Sequence, residues 1–510
     1  MEPLVLTFDI GTQSARAVLV DDKGSILHKA QHHFDEPYFS LEPGWAEQRG
    51  EFYWEQLCAL SQELKSASGA DWARIAGVSV TTIRDTTICV DKNGVPLRPA
   101  ILWLDKRETE GVAPLPFYKS AIFALVGMSE KVKLIRRISV CNWLMKNEPE
   151  NWEKTHKYLM LSGYMHFCLC GRMIDSTANI IGHVPFDNKK KKWMSRSKLT
   201  YCVFPVPKSK LCELCPPGTV IGGISKAAAM QTGIAEGTPV IATGSDKGCE
   251  SLGLSCTTPE KAAISFGTTA TIQYTTDRYV EPQAFMPAYP AALESCWSPE
   301  IEIYRGYWLV AWFVNEFADK ERREATELGV SPEDILNKRL GEVPAGCEGL
   351  VLQPYFTPGI SMPRARGSIV GFSQVHTKMH LYRAIIEGIN FALINGMKSL
   401  EKRMGVKTKA LYLAGGGSQS AEICQITADM FGVPAYRTQT YEAAVIGSSM
   451  LSFTALGRFK SIEDAMKSMV HIRDVFEPNE RIHRCYERLY SDVFTKTYKR
   501  LKPIYRKSYI

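Results

Sequence analysis

The sequence predicts an α/β protein of two related domains, and three observations carry that prediction. A short device is used twice: residues 4–20 (LVLTFDIGTQSARAVLV) and 262–274 (AAISFGTTATIQY) each read as a β-rich run, a Gly-Thr turn and a second β-rich run. The two turns, at Gly11 and Gly267, lie roughly half the chain apart. The order of strand and helix patterns after the first copy repeats after the second. At 510 residues the chain is too long for one core. The expected division is 1–250 and 251–510, with the boundary near 247–260 and no low-complexity linker there.

In the first half, residues 4–10, 15–21 and 25–31 read as a three-stranded meander whose second turn is Asp21-Asp-Lys-Gly24. Phe52, Leu57, Leu60 and Leu64 recur as on one face of a helix over 51–67. Residues 75–79 and 86–90 read as strands, the second closing on the turn Asp91-Lys-Asn-Gly94. The pattern from 108 to 170 is mainly helical. From 185 to 222, Pro, Lys and Cys mark loop with short helices. A buried strand at 240–243 leads into Gly244-Ser-Asp246 and a helix of small residues over 247–256.

In the second half, strands at 262–266 and 270–274 form the hairpin. Leu381, Ile385, Ile389, Ala392, Met397 and Leu400 predict a long helix over 378–403. A strand at 411–414 meets Gly415-Gly-Gly417 and is followed by a helix over 419–431 and a strand over 433–437. The helix expected over 442–456 carries Ala443, Ala444, Gly447 and Ser448, small residues that allow close packing.

Composition narrows the function classes. Hydrophobic residues make up 45% and charged residues 23%, as in ordinary globular proteins. No apolar run reaches the ~18 residues that span a bilayer, and the N-terminus shows no basic or apolar secretory region, so no membrane role is expected. The 14 cysteines are scattered through apolar runs and read as reduced thiols of a cytoplasmic protein. Cys212-x-x-Cys215 lacks the second pair that a structural zinc site needs. The net charge of +7 is modest, and the basic runs at 189–192 and 496–507 lack interleaved aromatics, so no nucleic-acid partner is expected. A homodimer is compatible with the sequence.

The chemistry-bearing residues suit phosphoryl transfer, which needs a phosphate cradle, a divalent metal and a base that orients the attacking hydroxyl. Two hairpins facing a shared cleft would cradle a nucleotide's phosphate chain through Thr12, Gln13, Ser14 and Thr268, with Arg16 as a fixed cation. Asp9, at the end of the first strand, is either a Mg2+ ligand or a turn-capping acid. Asp246 is either the general base or a helix N-cap. Arg84-Asp85-Thr86-Thr87 sits between two strands and is either a polyol grip or a surface ion pair. Trp103, Asp105 and Arg107 alternate, which places them on one face of an extended segment, either for a sugar or for packing at a domain edge.

Together these residues resemble the FGGY carbohydrate kinase family, which includes glycerol kinase, xylulokinase and gluconokinase. The resemblance runs in order through Asp9-Ile-Gly-Thr12, Pro43-Gly-Trp-Ala-Glu47, Trp103-Leu-Asp-Lys-Arg107, Gly244-Ser-Asp246, Phe266-Gly-Thr268, Gly367-Ser-Ile-Val-Gly371 through Glu387, and Ala414-Gly-Gly-Gly-Ser418. Phe372 departs at an aliphatic position of that last signature but one. The resemblance implies two RNase H-like domains of the actin, Hsp70 and sugar-kinase superfamily, with ATP bound in an interdomain cleft. It makes Asp246 the catalytic base and places Thr12, Gln13, Ser14, Arg16, Gly267 and Thr268 at the phosphates. Gly416 and Ser420 fall near the nucleoside, and Gly306 on the nucleotide side.

Substrate-side residues are Arg84, Asp85, Trp103, Asp105 and Lys247. Arg84-Asp85-Thr86-Thr87 is similar to the Arg-Glu-Thr-Thr of glycerol kinases, yet Asp85 is one methylene shorter, and Lys247 stands where glycerol kinases carry Gln. Lys247 either favours an acidic substrate or holds Asp246 ionised. The reading is an ATP-dependent kinase of a small sugar, polyol or sugar acid. Glycerol kinase is the alternative within that class. A non-catalytic ATP-binding module and a degenerate regulatory kinase are the alternatives outside it, and a working base at Asp246 separates them.

Overall fold

The computed structural model describes residues 2–110, 112, 114–284, 286–357, 359 and 362–507. The chain forms two compact units. The first contains residues 1–253, 289–296 and 444–470; the second contains 254–288, 297–443 and 471–510. The chain thus returns twice to the first unit after leaving it.

In the first unit, β1 (Leu4–Ile10), β2 (Ser14–Val20), β3 (Ile26–His33), β4 (Ile75–Thr82), β5 (Thr219–Gly223) and β6 (Pro239–Ala242) make a sheet of order β5-β6-β4-β1-β2-β3. The meander β1-β2-β3 is antiparallel, whereas β4 and β6 run parallel to β1 and to each other, respectively. The β2–β3 turn forms because Asp21 Oδ1 accepts from the amides of Lys23 and Ser25, at 2.9 and 2.8 Å, while Gly24 takes φ +77°. Every residue of β1 is buried, as expected of a strand covered on both faces. Helix Gly50–Ser68 covers the meander and buries Tyr53, Leu57, Leu60 and Leu64. The 185–222 stretch holds short strands and 3-10 turns.

The other face is covered by helix Ala443–Ala455, and the join is polar. Thr7 Oγ1 lies 2.9 Å from Ser449 Oγ and 3.1 Å from Ser79 Oγ, Ser79 lies 2.9 Å from Ser448, and Ser448 donates to Thr243 at 3.1 Å. All five hydroxyls are buried and all are satisfied by one another. Gly447 shows why the helix carries small residues: a Cβ there would lie 2.0 Å from the carbonyl oxygen of Cys249.

The second unit repeats the topology. Strands β7 (Lys261–Phe266), β8 (Ala270–Gln273), β9 (Glu300–Ile303), β10 (Ala410–Ala414), β11 (Ala435–Thr438) and β12 (Ile472–Phe476) take the order β9-β8-β7-β10-β11-β12. Again three antiparallel strands precede two parallel additions and an antiparallel edge. Two copies of one mixed sheet, each opening on a hairpin, are the RNase H-like arrangement. Helix Lys378–Met404 is buried around most of its circumference, which makes it the central helix of this unit. It stops at Gly405, in the left-handed conformation at φ +74°.

Candidate active site

The first hairpin brings Asp9 and Arg16 together, because the two residues are direct partners in the β1–β2 register. Arg16 Nε and Nη2 donate to Asp9 Oδ2 at 2.8 and 2.5 Å. At the turn, Gly11 N donates to Ser14 O at 2.9 Å, Gln13 is exposed, and Thr12 Oγ1 accepts from the indole N–H of Trp103 at 2.9 Å.

Trp103 and its neighbours do not share one face. A turn closed by Asp105 N donating to Leu102 O at 3.0 Å breaks the extended segment. Trp103 therefore stays 40% exposed while Asp105 and Arg107 point inward. Asp105 accepts from Arg107 and from Ala46 N, at 2.6 Å in the latter case, and Arg107 pairs with Glu47 at 2.6 Å. The guanidinium of Arg107 packs over the rings of Trp45 and Trp143, 4.0 and 4.6 Å from their centroids. Asp105 is thus a scaffold residue with both carboxylate oxygens engaged, and the expectation that it binds substrate is corrected. Trp103 remains exposed, with its indole N–H on Thr12.

Strand β6 ends at Ala242, and helix Asp246–Gly253 begins on the candidate base. Arg84 Nε stands 3.9 Å from Asp246 Oδ1, and Lys247 N donates to the same oxygen at 2.8 Å. Burial pushes the Asp246 carboxyl above the usual aspartate range. Arg84 and then Lys247 pull it back, and Asp9 adds a smaller push upward. The Lys247 ammonium is 3.2 Å from Glu250, one turn along the helix. Burial lowers its pKa, but Glu250 and Asp246 outweigh that and hold it above the ordinary lysine value.

Arg84 and Asp85 occupy the turn between β4 and strand Thr87–Val90. Asp85 adopts φ +50°, a left-handed conformation that Asp tolerates better than most residues. The loop at 181–183 holds it there: Asp85 N donates to Ile181 O at 3.1 Å, and His183 N donates to Asp85 Oδ1 at 2.9 Å. The His183 ring closes on Asp85 Oδ2 at 2.7 Å. Gly182 is needed for this approach, since a Cβ there would sit 2.1 Å from Asp85 Oδ1. The Arg84 guanidinium lies 5.7 Å from the ring centre of Tyr289.

In the second unit, the β7–β8 turn docks on residues 306–308. Tyr307 N donates to Gly267 O at 3.0 Å and Trp308 N to Thr268 O at 3.3 Å, which leaves the Thr268 side chain exposed. Gly306 is a close-packing glycine, with a Cβ there 2.3 Å from Ala270 N. Gly416 differs: a Cβ there meets nothing within 4 Å. Ser420 caps helix Ala421–Phe431 by accepting from Ile423 N, and its hydroxyl donates to Glu422 at 2.7 Å.

The donor set suits a hydrated Mg2+, which is held by one or two carboxylates and by nucleotide phosphates. Asp9 spends Oδ2 on Arg16, and Oδ1 makes no hydrogen bond among the described residues. Among the described residues no group of three or more His, Cys, Asp and Glu could hold a metal by itself, and no helix is long and apolar enough to cross a membrane.

Three residues around Asp246 lie outside the sequence reading: His183, Glu250 and Tyr289. Glu250 was findable, because it stands three residues after Lys247 on the same helix. His183, on a loop, and Tyr289, on the short strand Tyr289–Pro290, reach the Arg84-Asp85 turn from distant segments without a local pattern.

Comparison with known proteins identifies the family and the fold. Residues 4–253 match the N-terminal domain and residues 262–456 the C-terminal domain of the FGGY family of carbohydrate kinases. The chain is 27% identical over 507 residues to the uncharacterized sugar kinase YgcE of Escherichia coli, covering 99% of this chain and 95% of that one. It is 27% identical over 520 residues to the xylulose kinase of Lactococcus lactis, covering 98% and 97%. Its fold matches the ligand-bound xylulose kinase of Lactobacillus acidophilus with a TM-score of 0.83 at 21% identity, over 99% of each chain. With both family domains matched over most of its length and the repeated sheet in each half, this chain belongs to the FGGY family of carbohydrate kinases.

Proposed function

We propose that this kinase transfers the γ-phosphoryl group of ATP to a hydroxyl of a neutral ketose or polyol longer than glycerol, with Asp246 as general base. The observation that carries the reading is the setting of Asp246. It is a helix-first carboxylate whose proton affinity is raised by burial, beside Arg84 and partly open to solvent. A carboxylate so placed accepts the proton of the acceptor hydroxyl as that oxygen attacks the γ-phosphorus and the bond to ADP breaks. Asp9 would hold Mg2+, which screens the phosphate charge when bound. Thr12 on the first hairpin and Thr268 on the second would donate to phosphate oxygens.

Charge pairing supports a neutral substrate. Lys247 pairs with Glu250, His183 with Asp85, and Arg84 faces Asp246 itself, so each of these cations has a carboxylate at hand. Lys247 then acts on Asp246 by favouring its ionised form, the second of the two roles its position suggests. The similarity to a xylulose kinase favours a ketose. The Arg84-Asp85 pair favours glycerol as the second reading.

Initial rates of ADP release over glycerol, C4–C7 polyols, ketoses and aldonic acids test the substrate class. A C5 or longer ketose or polyol should give the highest kcat/KM. An aldonate in first place would sink the charge-pairing argument, and glycerol in first place would establish the second reading.

The nucleotide assignment has its own test. Thr12→Val and Thr268→Val should each weaken ATP binding in calorimetric titration by about 3–10-fold, the loss of one phosphate hydrogen bond. ATP affinity unchanged in both variants would place the cradle elsewhere.

A further inference from the structure

His183 is half of a carboxylate–imidazole pair that the mechanism above does not use. Its Nδ1 lies 2.7 Å from Asp85 Oδ2 and its own amide donates to Asp85 Oδ1, so residue 183 grips both carboxylate oxygens. That arrangement fixes the ring in place, and it assigns the Nδ1 proton to the bond with Asp85. The other ring nitrogen, Nε2, makes no hydrogen bond among the described residues, and the side chain remains 29% exposed. An oriented ring with one nitrogen held and the other unengaged is the form of a ligand-binding histidine. Asp85 follows Arg84, which reaches Asp246. The backbone is also committed to this pair, through Asp85 at φ +50° and a glycine at 182 that no larger residue can replace without displacing Asp85.

We propose that His183 binds the acceptor substrate through Nε2, and that Asp85 is the positioning residue that holds its ring. This rests on the reading of Asp246 and its neighbours as the acceptor site. It also changes the part assigned to Asp85, whose two oxygens serve His183 rather than the sugar. With the ring as imidazolium, Nε2–H donates to a sugar hydroxyl or to the carbonyl oxygen of an open-chain ketose. With the ring neutral, Nε2 accepts from a hydroxyl and offers nothing to a carbonyl. His183 therefore distinguishes a ketose from a polyol according to its protonation.

The ring's surroundings support that switch. Burial lowers the proton affinity of His183, but Asp85 outweighs it and leaves the imidazole above its ordinary pKa. Asp85 is the charged group it meets among the described residues. The Phe204 ring stands edge-on at 5.8 Å, and the Cys141 thiol, which faces the His183 carbonyl, is pushed up to about 12 by burial and stays neutral.

The test is equilibrium binding of the sugar panel to the full-length chain, by calorimetry and without ATP turnover, for wild type, His183→Ala, His183→Gln and Asp85→Asn. His183→Ala should weaken the preferred sugar by about 10–100-fold, while ATP affinity measured in parallel stays within about twofold. His183→Gln, which keeps a donor, should recover part of the loss. Wild-type affinity for a ketose should fall as pH rises through the His183 pKa. Asp85→Asn should move that fall to lower pH, because the carboxylate that favours imidazolium is gone. If His183→Ala alone fails to fold by circular dichroism, His183→Gln and the pH shift of Asp85→Asn decide the matter. Unchanged sugar affinity in both His183 variants, or no movement of the pH profile in Asp85→Asn, overturns the proposal. Wild type that binds no member of the panel overturns it too. Wild type that binds sugar but releases no ADP sinks the kinase reading and leaves this one standing.

Discussion

Asp246→Asn is expected to lower kcat by ~10²–10⁴, the usual contribution of a general base, with ATP affinity nearly unchanged. Asn keeps the shape and the acceptance of the Lys247 amide, so folding is spared and the loss reports proton transfer alone. The pH profile supplies a second readout. Burial holds the Asp246 carboxyl above its ordinary value, so the acidic limb of kcat/KM should lie above the ~3.9 of a free aspartate. Arg84 and Lys247 favour the ionised form, so Arg84→Gln should move that limb to still higher pH. Near-normal turnover in Asp246→Asn would remove Asp246 as the base and place that role on another group. A limb that stays put in Arg84→Gln would show that another group titrates.

The second large effect is expected far from the chemistry. Arg383 and Glu387, one turn apart on helix Lys378–Met404, form a buried pair at 2.7 Å. Arg383 also donates to the carbonyls of Leu340 and Val343, both at 2.8 Å, and to Tyr486 Oη at 3.0 Å. Tyr486 in turn donates to Glu387 at 2.7 Å, and Gly346 N donates there at 3.2 Å. Glu387→Ala strands a guanidinium, a phenol and an amide in the core of the second unit. It should cost about 3–5 kcal/mol in chemical denaturation. Replacing the pair by Arg383→Met with Glu387→Met should recover most of that, since well-packed apolar residues often match a buried ion pair. A single-variant loss below about 1 kcal/mol would mean that water reaches the cluster.

The fold was legible wherever periodicity was undisturbed. Both hairpins, the helix over 50–68 and the helix over 378–404 follow from alternation or from a helical face, and strand β6 announces Asp246 because it ends at Ala242, two residues before Gly244. The reading of Trp103, Asp105 and Arg107 failed for a specific reason. Alternation assumes an extended chain, and the turn at 102–105 contains neither Gly nor Pro to give it away. The tight Asp105–Arg107 pairing then followed from burial among Trp45 and Trp143. His183 was illegible because its partner lies 98 residues earlier, and an ion pair made across loops leaves no spacing to detect. The Asp9–Arg16 pair shows the opposite case, since a two-stranded register implies it once the turn is known.

The return of residues 444–470 to the first unit bears on the order of events during synthesis. The helix Ala443–Ala455 supplies Ser448 and Ser449 to the hydroxyl chain through Thr7, Ser79 and Thr243, and closes one face of the first sheet. Until that segment leaves the ribosome, β1 and β4 have an uncovered face, although they were made first. Domains ordinarily fold in order from the N-terminus as they emerge. Here the N-terminal unit waits for the other to be translated almost to its end. A nascent chain halted before residue 444 should expose apolar surface and recruit chaperones, although all six strands of the first sheet are already made by residue 242.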